Sequence, residues 1–257
     1  MNVSRPNLDL IIPKLISLVE EVGSFIAAQY TKDIEITKKV DGSPVTEIDN
    51  ESQKLLKQGL SQITPNIPII SEEDETSWSI KSELYWLIDP LDGTKGFIFK
   101  TGDFCINIAL MENLKPVFGL IHIPLSRETY FGYEKKAFRF FEGQNASIQT
   151  RSFPQQGVTL LLGGYGQKHK DQENFFLRTF PVDQTLRLRS AIKFCLIASG
   201  QADIYIRFEP CSEWDTAAGQ AIVEAAGGIM TLIDGKPFTY GKPNLLNPAF
   251  VVFGRKP

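Results

Sequence analysis

The stretch from Cys105 to Phe141 restricts the fold more than any other part of the chain. Four apolar runs, Cys105–Met111, Val117–Ile123, Thr129–Tyr133 and Ala137–Phe141, follow one another with only turn-like segments between them (Glu-Asn-Leu-Lys-Pro, Pro-Leu-Ser-Arg and Glu-Lys-Lys). Short β-favouring runs punctuated in this way read as an antiparallel meander. Near residue 150 the rhythm changes. Strand patterns at Val158–Leu162, Asp203–Phe208, Ile229–Ile233 and Phe250–Phe253 alternate with helical ones at Asp171–Phe180, Ala191–Ser199 and Asp215–Ala226. The halves predict an α+β lobe over residues 1–150 and an α/β lobe over residues 151–257. A chain of 257 residues can bury a sizeable core, and without repeats or a long linker the two lobes are expected to share one interface.

Ahead of the meander, Leu8, Ile11, Ile12, Leu15, Ile16, Val19 and Val22 recur at helical spacing and mark an amphipathic core helix. Pro13, Lys14 and Glu20-Glu21 break up this apolar region. No stretch approaches the ~18 apolar residues of a membrane span, and the expectation is a cytoplasmic protein without export signal or anchor. Ile34 to Val40 alternates as a strand, closed by an Asp41-Gly42 turn. Thr46 opens a second helix with Asp49 at the third following position, as in a capping box. Ile48, Leu55, Leu56, Leu60 and Ile63 form its apolar face, Pro65 ends it, and Ile67–Ser71 and Leu84–Asp89 read as strands. A net charge of −3 with no basic block argues against a nucleic-acid polymer as partner. Cys105, Cys195 and Cys211 are too widely spaced for a disulfide framework or a thiolate zinc site.

Three acidic segments sit where a strand stops or a helix starts. Ile69-Ile-Ser-Glu-Glu-Asp74 runs a strand into Glu72, Glu73 and Asp74. In Tyr85-Trp-Leu-Ile-Asp-Pro-Leu-Asp-Gly-Thr-Lys95, Asp89 ends an apolar strand, Pro90 stops the ladder and Gly93 permits a bend, so that Asp89, Asp92 and the Leu91 carbonyl can converge. In Glu213-Trp-Asp-Thr-Ala-Ala-Gly219, Asp215 is expected at a helix N-terminus, and the small residues after it admit close approach of another backbone. Each segment alone is also a good turn or helix start. Brought together, Glu72, Asp89, Asp92 and Asp215 would repel, and desolvating them would cost several kcal/mol per ion unless cations joined them. Hard oxygen ligands without a His or Cys cluster point to magnesium rather than zinc. The Gly93-Thr94 amides and the Thr94 hydroxyl, at the start of a helical turn, suit a phosphate group. Two neighbouring dications would stabilise both the attacking and the leaving oxygen of phosphoryl transfer.

Asp49, Glu72-Glu73, Asp89-Pro-Leu-Asp-Gly-Thr94 and Trp214-Asp-Thr-Ala-Ala-Gly219 together resemble, in order and spacing, the motifs of the inositol monophosphatase superfamily. The resemblance runs from the first helix to Leu246-Asn-Pro248 and implies a layered α-β-α-β-α sandwich. It also implies a lithium-sensitive, magnesium-dependent phosphatase using two or three ions and a small phosphorylated substrate. Lys95-Gly96-Phe97, Arg189-Ser-Ala-Ile-Lys-Phe-Cys195 and Ala202-Asp-Ile-Tyr-Ile-Arg207 are similar to the CysQ-type 3′(2′),5′-bisphosphate nucleotidase branch. In that branch the reaction would convert 3′-phosphoadenosine 5′-phosphate to AMP and phosphate. By the same resemblance, Glu72, Asp89 and the Leu91 carbonyl would bind one ion, and Asp89, Asp92 and Asp215 another. Thr94 with Glu72 or Asp49 would activate the attacking water. Gly93 and Thr94 would hold the scissile phosphate, and Ser190, Lys193, Arg207 and Asp215 the rest of the substrate. Where nucleotidases carry a Ser-Arg-Ser-His stretch, this chain reads Leu162-Gly-Gly-Tyr-Gly-Gln-Lys-His-Lys170, with Tyr165, Lys168 or His169 as replacements.

Other readings of the same residues stay open. Inositol monophosphate or fructose 1,6-bisphosphate could be the substrate on the same scaffold, or the carboxylates could form a non-catalytic divalent-metal scaffold, as a monomer or a homodimer. The three-residue spacing of Asp89 and Asp92 disfavours an aspartyl-phosphate mechanism. His122 and Cys195 read as core, Cys211 as accessible, His169 and Lys135-Lys136 as surface, and Glu209-Pro210 as shaping the loop before Trp214. Lys193, a helix-face lysine between apolar neighbours, is read as functional.

Overall fold

The computed structural model describes residues 4–32, 36–38, 44–163 and 170–255. Helix α1 (Leu8–Tyr30) is capped by Asn7, whose side chain accepts from the Asp9 amide, and it accommodates Pro13 within its length. A hairpin of β1 (Ile36–Lys38) and β2 (Pro44–Thr46) leads into α2 (Glu47–Ile63). The capping box holds: the Thr46 amide and hydroxyl both donate to Asp49 Oδ2, at 2.8 and 2.6 Å. The Asp41-Gly42 turn and the replacements Tyr165, Lys168 and His169 lie outside the described residues.

Next come β3 (Ile69–Ser71), β4 (Leu84–Asp92), the short helix α3 (Thr94–Ile98), and the meander of β5 (Cys105–Glu112), β6 (Lys115–Ile123), β7 (Glu128–Tyr133) and β8 (Lys136–Phe141). A fifth meander strand, β9 (Gln144–Ile148), extends the sheet beyond the sequence expectation. The resulting seven-stranded sheet runs β3 to β9 in order, antiparallel except for the β3–β4 pair. A second sheet is built from β10 (Val158–Gly163), the unforeseen edge strand β11 (Val182–Leu188), β12 (Ile204–Arg207), β14 (Ile229–Leu232) and β16 (Phe250–Phe253), in the order β11-β10-β12-β16-β14. Between these elements lie α4 (Lys170–Thr179), α5 (Ile192–Ala198) and α6 (Ala217–Ala225), and the small pair β13 (Cys211–Ser212) with β15 (Leu246–Asn247).

Alternation along the strands sorts the core into layers. Trp86, Ile88, Ile106, Ile108 and Leu110 face α1 and α2, whereas Tyr85, Leu87, Ala109 and Met111 face the opposite way onto Phe194, Ala218 and Ile222 of α5 and α6. Leu161, Tyr205, Phe250 and Val252 of the second sheet close that central layer from its far side. The outer face of the second sheet packs Leu160, Ile204 and Val251 on Phe176 of α4. The order is helices, sheet, helices, sheet, helix, as the layered sandwich requires. Burying a large apolar side chain contributes roughly 1.5–3 kcal/mol, so the central layer, buried on both faces, anchors the fold.

Glycines set the spacing of that layer. A Cβ on Gly119 of β6 would lie 2.1 Å from the Ala218 carbonyl oxygen of α6, so helix and sheet meet backbone to backbone. On the other side of the helix, Gly219 leaves room for the Phe194 ring. No helix among the described residues is long and apolar enough to cross a membrane. The cysteines are free thiols, and Cys211, read as accessible, is buried behind the Trp214 turn.

Candidate active site

Asp89 and Asp92 share a face of the first sheet because β4 carries one surplus residue. The register pairs Asp89 with Asn107 and Asp92 with Cys105, three steps on β4 against two on β5. In a regular strand, positions three apart point to opposite faces; a bulge restores them to the same one. Pro90 therefore does not stop the ladder, as its missing N–H had suggested; it sits in the bulge, and pairing resumes at Asp92.

Gly93 then turns the chain with φ 89°, and there is no room for a side chain, since a Cβ would lie 2.4 Å from the Asp103 carbonyl oxygen. Thr94 begins α3 with its amide among the unbonded groups of a helix start. Its hydroxyl lies 3.0 Å from Asp49 Oδ1 and 3.2 Å from the Leu91 carbonyl oxygen. Asp49 thus caps α2 with one oxygen and meets Thr94 with the other.

Asp215 arrives by a different route. Glu213–Asp215 forms a single 3-10 turn and α6 begins only at Ala217, so Asp215 caps that turn, accepting from the Ser212 amide at 3.0 Å, rather than opening the long helix. The turn is pinned from behind by two residues the sequence did not single out. Buried Glu213 accepts from the Gly241 and Lys242 amides and from Lys242 Nζ. Buried Asn247 donates to the Ser212 carbonyl and the Thr216 hydroxyl, bridging both sides of Asp215. A polar side chain in the short Leu246–Pro248 stretch was the one available signal.

Glu72, Asp89 and Asp215 each present a carboxylate oxygen within 4.8 Å of the other two. Asp92 lies outside this triad but its charge is felt by Asp89 and Asp215. Burial, reinforced by Glu72, Asp92 and Asp215, raises Asp89 well above the ordinary carboxylate range. Burial likewise lifts Asp215 to about 7 against the opposing Arg207 charge, with Asp92 and Glu72 adding to the rise. Burial raises Asp92 too, opposed by Lys193 and by hydrogen bonds from Asn107 and Ala191. Acids so arranged keep their charge only beside cations.

A cleft of about 390 Å³ opens on these groups, lined by the acids Glu72, Asp92 and Asp215, by Gly93 and Thr94, and by the cations Lys95, Arg189, Lys193 and Arg207. Ser190, held at φ 58°, and Lys193 both border it. Lys193 is 1% exposed, donates to the Leu188 carbonyl at 2.9 Å and to the Ser190 carbonyl, and is pushed down to about 8 by burial and by Arg207. Arg207 Nη2 stands 3.9 Å from Asp215 Oδ2. Glu72, Asp92, Gly93, Thr94, Ser190, Lys193, Arg207 and Asp215 therefore line one cleft, with Asp89 joined to it through the acidic triad and Asp49 through Thr94. A larger concavity of about 590 Å³ beside Trp78 and Tyr85 lies away from the acidic triad.

A five-layer sandwich with converging carboxylates and clustered cations on one cleft defines a class of enzyme built to bring metal ions and phosphate together. The chain belongs to the inositol monophosphatase family, whose family model matches residues 7–252. It is similar to the 3′(2′),5′-bisphosphate nucleotidase CysQ of Salmonella typhimurium, 39% identical over 247 residues that cover 94% of this chain and 98% of that protein. The CysQ of Escherichia coli (strain K12) is 37% identical with the same coverage. Among solved structures, CysQ from Bacteroides thetaiotaomicron superposes with a TM-score of 0.79 at 29% identity, covering 97% of this chain and 100% of that one. Thermotoga maritima IMPase reaches 0.80 at 25% identity, covering 95% and 91%.

Proposed function

We propose that the chain is a magnesium-dependent phosphomonoesterase that converts 3′-phosphoadenosine 5′-phosphate to AMP and phosphate. The observation that carries this reading is the sharing of one cleft by the carboxylates Glu72, Asp92 and Asp215 and the cations Lys95, Arg189, Lys193 and Arg207. A substrate with two phosphates brings more negative charge than the metal ions cancel, and these cations supply the remainder. The similarity to CysQ nucleotidases supports the same substrate class.

The donor set fits hard dications: carboxylate oxygens of Glu72, Asp89, Asp92 and Asp215 with the Leu91 carbonyl, none of them nitrogen or sulfur. Two or three magnesium ions held there would polarise the phosphoryl group and neutralise developing charge. The chain's own residues would do the rest. Gly93 and Thr94 orient the scissile phosphate through their amides. A water aimed at phosphorus gives its proton to Thr94 Oγ1, which passes its own to Asp49 Oδ1, 3.0 Å away. Asp49 suits a proton acceptor because burial lifts its pKa against the bonds from Thr46 and Thr94. As the water oxygen bonds to phosphorus, the ester P–O bond breaks and the departing 3′-oxygen takes a proton from solvent. Ser190, Lys193 and Arg207 would hold the second phosphate. On this reading the 1–150 lobe supplies Asp49 and most metal ligands, and the 151–257 lobe supplies Asp215 and the substrate cations.

The test is turnover of 3′-phosphoadenosine 5′-phosphate, inositol 1-phosphate and fructose 1,6-bisphosphate at fixed magnesium. The nucleotide is expected to give the highest kcat/KM. A higher value for either competitor overturns the nucleotide assignment, and no phosphate release from any of them leaves only a metal-binding scaffold.

A further inference from the structure

We infer that Asn107 is a positioning residue for the dication site, one that dictates which oxygen of Asp92 faces the cleft. The inference rests on the metal-ligand reading of Glu72, Asp89, Asp92 and Asp215. Asn107 lies on β5 directly across the ladder from Asp89 and is 1% exposed. An amide in so buried a place must place its hydrogen bonds or lose about 1–3 kcal/mol. Its Nδ2 donates to Asp92 Oδ2 at 3.1 Å.

The same Oδ2 accepts the backbone amide of Ala191, which reaches in from the entrance to α5. The Cys105 thiol stands 3.6 Å from Oδ2 and 3.4 Å from Asn107 Oδ1, its single proton serving one of them at a time. Every hydrogen bond made to the Asp92 carboxylate among the described residues goes to Oδ2 and none to Oδ1. With two lone-pair sites per carboxylate oxygen, Oδ2 is committed and Oδ1 is left to a cation. Asn107 cannot flip its amide without turning Oδ1 onto the Asp92 carboxylate. Ala191 contributes through the main chain, which leaves Asn107 as the nitrogen donor that a side chain supplies. Its neutrality matters equally: a carboxylate at 107 would add one more charge beneath Asp89 and Asp92. Removal of a group that orients a metal ligand typically costs 10–100-fold in metal affinity or activity.

The experiment titrates the full chain with Mn²⁺, followed by electron paramagnetic resonance, for the wild type, Asn107→Leu, Asp92→Asn and the double variant, with melting of each in chelator as a fold control. Asn107→Leu is expected to weaken Mn²⁺ binding 10–100-fold in the wild-type background and to have no further effect once Asp92 is Asn. If Asn107→Leu does not fold, the smaller neutral Asn107→Ala takes its place in the cycle, with the same loss expected. Wild-type affinity in the variant overturns the inference, as does a loss of the same size in the Asp92→Asn background. Absence of Mn²⁺ binding by the wild type would instead sink the metal-site reading itself.

Discussion

Gly119→Ala probes the backbone contact between the first sheet and α6. The added Cβ would sit 2.1 Å from the Ala218 oxygen, 2.8 Å from its carbonyl carbon and 2.9 Å from its Cα. All three are main-chain atoms, so no rotamer change relieves the clash, and reaching about 3.0–3.4 Å requires a shift of about 1 Å. The helix has little room to recede. A Cβ at Gly219 would already meet the Phe194 ring at 2.2 Å, and that ring packs on Tyr205 and Phe250. Overpacking of this kind costs about 1–3 kcal/mol, and in a chain of this size each kcal/mol lowers Tm by roughly 2–4 °C. Ala218 is three residues beyond Asp215, so the shift also reaches the acidic triad, where a misplacement of about 1 Å can cost ~100-fold in rate. Thermal melting and steady-state phosphate release, run beside Gly254→Ala, where the new Cβ would meet nothing closer than 3.5 Å, separate the two effects. The expected result is a Tm lowered by several degrees with kcat/KM reduced about 100-fold. A wild-type Tm refutes the steric argument. A lowered Tm with intact kcat/KM refutes the link from α6 to Asp215.

Asp92→Asn is expected to lower kcat by at least ~100-fold while leaving the chelator-measured Tm within a few degrees, since the amide can keep accepting from Asn107 and Ala191 through its oxygen; retained turnover counts against the metal assignment. Lys193→Met is expected chiefly to raise KM for a bisphosphate substrate, with some loss of Tm because the Leu188 and Ser190 carbonyls lose their donor; a fall in kcat alone contradicts a substrate-holding role. His122 is buried, bonded to Thr129 Oγ1 at 2.9 Å, and burial lowers its pKa from 6.5 to about 4. Between these values the unfolded chain binds a proton that the native one refuses, so its contribution is intact above pH 6.5 and is lost as pH falls toward 4, by up to about 1.4 kcal/mol per pH unit. Urea unfolding of wild type and His122→Gln at pH 7.5, 6 and 5 should show the steeper loss in the wild type, and parallel curves would disprove it.

Much of the site was legible because its acids end apolar runs. Leu84 to Ile88 is a continuous hydrophobic strand, so Asp89 had to emerge at its end, and the Thr46–Asp49 spacing revealed the cap. What stayed hidden depends on partners far along the chain. The bulge at Pro90 is defined by pairing to β5, and from β4 alone a proline reads as a terminator. β9 and β11 are edge strands without a single fully buried side chain, so neither showed the continuous apolar run that marks the inner strands. Spacing alone made Asp49 a cap, and its second role came only from the family resemblance, since the fold is what brings Thr94, 45 residues later, to its other oxygen. Asn107 and Asn247 are likewise polar residues among apolar ones whose partners are remote in sequence.

The surplus residue in β4 also limits how this segment can change over evolutionary time. Substitutions at Pro90 or Leu91 alter shape and bulk locally, whereas dropping either codon would rotate Asp92 through half a turn and aim it at the α1–α2 side of the sheet. Length, more than chemistry, is the conserved quantity one would expect here. A lineage that shortened this loop would keep a sound sandwich and forfeit its chemistry in one step.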